Sequence, residues 1–126
     1  MISLETAKKL KDVGLKWEPA EGDSYYFEKT LEHIYPGTFF YGASSEMVKM
    51  SCIAFAPSLS QLLAEIEKRG YWWDIGHRIV EVGKIHKYKI WASKKHANNT
   101  NQEFITNSPE ESAAQALLWI LKEGCN

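Results

Sequence analysis

The sequence predicts an α+β fold, read as a single domain over residues 1–126: a largely antiparallel sheet with three helices, near residues 3–13, 58–69 and 108–123. Three observations carry this reading. Each helical stretch combines a capping residue, an apolar stripe at helical spacing and a glycine stop. The stretches between are aromatic or β-branched runs bounded by Gly, Pro or Ser, the composition of strands. Short turns separate those runs, and short turns join antiparallel neighbours, whereas parallel strands need a long crossover.

The first helix opens at Ser3, whose hydroxyl can accept a backbone N–H that the helix start leaves unpaired. Glu5 sits where the helix dipole favours an acid, Leu4, Ala7 and Leu10 form the stripe, and Gly14 supplies the stop. Strands are expected at Tyr25-Tyr26-Phe27, at Thr38-Phe39-Phe40-Tyr41 and over 50–55. The second helix starts at Ser58 after Pro57. Ser58-x-x-Gln61 fits a capping box, Leu59, Leu62, Leu63 and Ile66 share a face, and Gly70 ends it. Tyr71-Trp72-Trp73 follows as a strand. Residues 78–82 and 85–92 then flank Gly83-Lys84, a two-residue hairpin turn. A polar loop over 96–102 leads to a short strand at Phe104-Ile105. The third helix has Ser108 as cap, Pro109 at its first position and Glu111 completing a second capping box. Its apolar face is Ala114, Leu117, Leu118 and Leu121, with Gly124 beyond the end.

A chain of 126 residues buries roughly two-thirds of its unfolded surface, so it needs no metal or disulfide staple. Hydrophobic residues at 44% and charged residues at 25% exclude a disordered, collagenous, coiled-coil or membrane protein. The formal net charge is −1, which gives no long-range pull on nucleic acid or anionic membrane. By segment the sign separates. Residues 75–102 hold six basic and one acidic side chain, and residues 103–126 hold one and four.

Cys52 and Cys125 are far apart and form no C-x-x-C pair, which argues against zinc ribbons and thioredoxin-type redox motifs. Cys52 reads as a buried core thiol, and a reducing cytoplasm is the expected compartment. The opening Met1-Ile2-Ser3-Leu4-Glu5-Thr6 carries an early acid and does not read as a signal peptide. No association with membrane is expected.

Candidate chemistry is sparse. Four histidines, His33, His77, His86 and His96, raise a metal site, but the last three are nine and ten residues apart around a lysine-rich hairpin that would repel a cation. Asp74 and His77 flank Gly76 and could face each other, yet two ligands do not make a site. No metal and no cofactor is therefore expected. Gly-x-Ser-x-Gly, Gly-x-x-x-x-Gly-Lys and Gly-x-Gly-x-x-Gly are absent, and Glu110-Glu111 is explained by the dipole of a helix start. No catalytic residue is assigned. An enzyme would need a site assembled from scattered residues.

The basic hairpin, 77–95, is the main functional candidate. Alternation puts Tyr88, Ile90 and Ala92 on one face and Lys87, Lys89 and Trp91 on the other. With Arg78, Lys84, Lys94 and Lys95 nearby, cations could hold phosphate while Trp91 stacks a base, as single-stranded nucleic acid requires. The same surface could meet an acidic protein, or be a solvated face whose Lys stems cover an indole. Trp119 is the second candidate. It points away from Leu117 and Leu121, beside Ser112, Gln115 and Lys122, so either its own chain or an interface with another covers it. The surplus of aromatic residues favours binding over catalysis.

From Pro57 onward, the order of a capped helix, Tyr71-Trp72-Trp73, a hairpin ending in Lys89-Ile90-Trp91-Ala92, a polar loop and Asn107-Ser108-Pro109-Glu110-Glu111-Ser112-Ala113-Ala114 resembles the small phage- and prophage-encoded proteins with an α-β-α sandwich domain. The opening helix with Leu15-Lys16-Trp17-Glu18-Pro19 is similar to small phage proteins of Gram-positive bacteria. The resemblance spans about seventy residues and implies a phage accessory protein, with no activity or site residue to carry over. The expectation is thus a module that binds a host or phage protein or a second copy of itself, with single-stranded nucleic acid as the alternative ligand.

Overall fold

The structure, a computed structural model, describes residues 1–17, 22–30, 33–38, 52–80, 85–94 and 102–123. It is α+β, with three helices and two three-stranded antiparallel sheets among those residues. Two compact units divide the chain, Met1–Ser58 and Leu59–Asn126. Among the described residues, no helix is long and apolar enough to cross a membrane.

In the first unit, α1 (Leu4–Asp12) begins where the Ser3 hydroxyl accepts the Thr6 N–H at 3.2 Å. It ends as its glycine requires. Gly14 takes a φ of +97°, and the Leu15 N–H reaches back to the Leu10 carbonyl at 3.0 Å, which satisfies a carbonyl the helix end would orphan. Strands β1 (Ser24–Thr30), β2 (His33–Thr38) and β3 (Cys52–Ala56) form a sheet in the order β2-β1-β3. One face of it meets α1. Ala54 and Ala56 are buried there with Ile2, Ala7 and Leu10, and the Tyr26 hydroxyl donates to the Ile2 carbonyl at 2.6 Å. The other face is aromatic: Trp17 stacks on Phe55 at 4.9 Å and lies 5.7 Å from Tyr25, while its indole N–H donates to the buried Asp23 at 2.7 Å.

The strand at 33–38 differs from the one expected at 38–41, whose remaining residues lie outside the described set. Pro36 and Gly37 hide it in the sequence. A proline is tolerated there because β2 is at the edge of the sheet among the described residues, and Gly37 is needed because a Cβ would stand 2.8 Å from Phe27 Cε1.

In the second unit, α2 (Leu59–Lys68) and α3 (Pro109–Glu123) pack on each other and against one face of a sheet ordered β4-β5-β6. Its strands are β4 (Tyr71–Val80), β5 (Ile85–Lys94) and β6 (Gln102–Thr106). Leu62, Ile66, Ile90, Ala92, Leu117 and Ile120 form the core between helices and sheet. Ser108 caps α3 by accepting the Glu111 N–H at 3.0 Å. Ser112 is fully buried, and its hydroxyl donates to the Tyr88 carbonyl at 2.9 Å beside the Thr106 hydroxyl at 2.7 Å, joining α3 to β5 and β6.

Two expected strands, at 71–73 and 78–82, fall within one ten-residue strand as far as Val80, and residues 81–82 lie outside the described residues. The sequence suggests a break because Asp74 and Gly76 are poor strand formers, but the long pairing with β5 overrides that preference. The expected turn at Gly83-Lys84, residues 96–101 of the expected loop, and Gly124 and Cys125 lie outside the described residues, while Gln102 belongs to β6.

Candidate functional site

Alternation along β4, β5 and β6 sorts their residues onto two faces. Ile90, Ala92 and Phe104 belong to the face that meets the helices. The outer face is built in rows across the strands: Asp74, Trp91 and Glu103 in one, Gly76, Lys89 and Ile105 in the next. Trp72, opposite Ser93, stands on the same face and is 62% exposed, and Ile105 is 55% exposed. Trp72, Trp91 and Ile105 are diagonal neighbours on successive strands, at the spacing of roughly 7–8 Å where large side chains still reach each other. They form an apolar stripe running obliquely across the sheet.

Trp91, at its centre, is held on several sides. Its indole N–H donates to Glu103 Oε1 at 2.7 Å. Lys89 Nζ lies 4.9 Å from the ring centroid and 3.5 Å from Glu103 Oε2. The ring passes over Gly76, where a Cβ would meet its Cζ3 at 3.3 Å. Gly76 is therefore in mid-strand because the indole occupies the space that a side chain would take.

The residues expected from sequence fall as follows. Lys87, Lys89 and Trp91 share the outer face, and Lys87 Nζ donates to Asn107 Oδ1 at 2.6 Å. Arg78 stands opposite Lys87, and Lys94 opposite Tyr71, at the level of the backbone. Lys84 and Lys95 lie outside the described residues. Trp119 packs on its own sheet, edge-on to Tyr71 at 5.7 Å and tilted against Phe104 at 6.0 Å.

The sequence reading missed Trp72, Asp74, Glu103 and Ile105 as members of this surface. For Trp72 the signal was present: buried Tyr71 beside it forces it to the opposite face. Asp74 and Glu103 become neighbours of Trp91 only through register. Their presence changes the electrostatics, since both acids stand in the row of Trp91, next to the row that holds Lys89.

Asp74 and His77 cannot act together, because an odd separation along a strand sends them to opposite faces. His77 instead stacks on Tyr88 at 4.6 Å and 15°. Among the described residues no group of three His, Cys, Asp or Glu side chains could hold a metal ion. His96 lies outside the described residues. Comparison with protein-family models, with curated proteins and with solved structures finds no match.

Proposed function

We propose that this chain is a cytoplasmic binding module, an accessory protein of phage or prophage, and that its outer β4-β5-β6 face seats another protein. The single observation that carries the binding reading is the stripe of Trp72, Trp91 and Ile105, two of them more than half exposed, on a sheet face. Tryptophan side chains held in place are the commonest anchors of protein interfaces, and a pre-positioned ring loses little freedom on binding. Phage origin is supported by the resemblance of the segment after Pro57, and the cytoplasm by two distant cysteines without a C-x-x-C motif.

The electrostatics favour a protein partner over nucleic acid. A phosphate approaching Lys89 also approaches Glu103, which already pairs with it at 3.5 Å, and Asp74 lies in the same row as Trp91. A polyanion meets repulsion along with attraction there. A protein surface that offers an apolar group between charges of both signs complements every part of the face.

A photoreactive phenylalanine analogue at position 105 tests this reading. Irradiation in cell extract should give a protein adduct of defined mass that excess unlabelled wild-type chain suppresses and excess Trp91→Ala chain does not. The same probe at Glu5 should give no such adduct. Cross-linking to nucleic acid, or an adduct that both competitors suppress equally, overturns it.

A further inference from the structure

We infer that the outer β4-β5-β6 face takes an arginine side chain of the partner protein, seated on Asp74 between the indoles of Trp72 and Trp91. This rests on the reading of that face as a protein-binding surface and names the group it holds. Trp72 and Asp74 are two residues apart on β4 and therefore share the outer face. Trp91 stands directly opposite Asp74 on β5. Its ring reaches over Gly76, into the place that the next outward side chain of β4 would take. Along β4 the outer face thus runs indole, carboxylate, indole, at steps of roughly 7 Å. Trp72 is 62% exposed, and Asp74 is exposed as well.

The occupant follows from charge. Two acids border Trp91, and they differ in what they already hold. Glu103, on β6, accepts the indole N–H at 2.7 Å and pairs with Lys89 at 3.5 Å, so its charge is offset. Asp74, on β4, accepts the Ile75 N–H through Oδ1 at 2.9 Å and makes no ion pair among the described residues. That bond steadies the carboxylate without neutralising it. A carboxylate between two aromatic rings suits a cation, because ring faces carry negative charge and attract cations out to roughly 6 Å from a centroid. The same attraction holds Lys89 Nζ 4.9 Å from the Trp91 centroid. Arginine fits Asp74 better than lysine does. Its guanidinium is planar, sheds water more readily than an ammonium, lies flat on an indole and donates two parallel N–H bonds to one carboxylate. A pair sheltered between rings is screened less than exposed charges, so retention of the partner does not collapse with salt.

An NMR titration of the isotope-labelled chain with a capped leucine-arginine-leucine peptide tests it. The same peptide with lysine, or with citrulline, the neutral analogue of arginine, serves as comparison. The expected result is saturable shifts of the Trp72 and Trp91 indole N–H signals. Affinity for the arginine peptide should exceed that for the citrulline peptide roughly fivefold, with lysine between them. In Asp74→Asn, which keeps the oxygen that accepts the Ile75 N–H, the preference for arginine over citrulline should vanish while circular dichroism shows an unchanged fold. Equal affinity for the arginine and citrulline peptides overturns the proposal. So do a preference that survives Asp74→Asn, shifts confined to other residues, and the absence of saturable binding. The adduct at position 105 is measured without any arginine peptide, so the titration can fail while the protein-binding reading stands. An extract that yields no adduct sinks that reading whatever the peptides do.

Discussion

The Trp91 indole N–H and the Glu103 carboxylate are bonded across neighbouring strands at 2.7 Å, and Glu103 also holds Lys89. One acid therefore orients the central ring of the apolar stripe and offsets a lysine that would otherwise present free charge. Replacing Glu103 with Ala should lower stability by no more than about 1 kcal/mol, because the group is half exposed and solvent screens it. It should also raise affinity for a short single-stranded oligonucleotide, most at low salt, since the face becomes basic. Urea denaturation and a fluorescence-anisotropy titration check the two outcomes. Unchanged oligonucleotide binding would mean that Glu103 does not set the character of this face.

Ser112 joins α3 to the sheet from inside the core. In Ser112→Ala the hydrogen bond that ties α3 to the Tyr88 carbonyl is lost, and losing one buried hydrogen bond costs about 0.5–1.5 kcal/mol. Lys122→Ala, at an exposed position of the same helix, should stay within about 0.5 kcal/mol of wild type. Equal stability of the two variants would contradict the role given to the buried hydroxyl.

Gly37 is a glycine of close approach. A Cβ there stands 2.8 Å from Phe27 Cε1 and 2.9 Å from its Cδ1, so Gly37→Ala must push a ring that also packs against Tyr25. The expected loss is about 1–3 kcal/mol, typical of overpacking, and thermal unfolding measures it. A gain in stability, as replacing a strand glycine otherwise gives, would show that β2 shifts freely.

Trp119→Ala removes a ring that contacts Tyr71 and Phe104. It should destabilise the chain by about 3 kcal/mol and leave its oligomeric state unchanged. Sedimentation alongside denaturation separates the two effects. A variant of undiminished stability but altered assembly would return Trp119 to an interface.

Much of this architecture was legible in the residues themselves. Ser3, Ser108, Gly14 and Gly70 announce helix ends through local chemistry, and each does so within a few residues of chain. The spacing of Leu62 and Ile66, and of Leu117 and Leu121, identifies core faces for the same reason. Strand β2 was hidden because Pro36 and Gly37 argue against a strand unless it is known to lie at an edge, and edges are a property of the assembled sheet. The site divides in the same way. Lys87, Lys89 and Trp91 share a face by alternation alone, which one strand determines. That Asp74 and Glu103 flank Trp91 depends on the registers of two strand pairs, and composition suggested a basic surface where the fold sets two acids beside the ring.

The most direct test of the account is retention of the partner protein, identified by cross-linking at position 105, on immobilised wild-type, Trp72→Ala, Trp91→Ala and Ile105→Asp chains at low and high salt. The account predicts that each substitution weakens retention by roughly tenfold or more and that salt changes the wild-type value little, as an apolar anchor implies. Retention that survives all three substitutions, or that collapses with salt as phosphate contacts do, would contradict it.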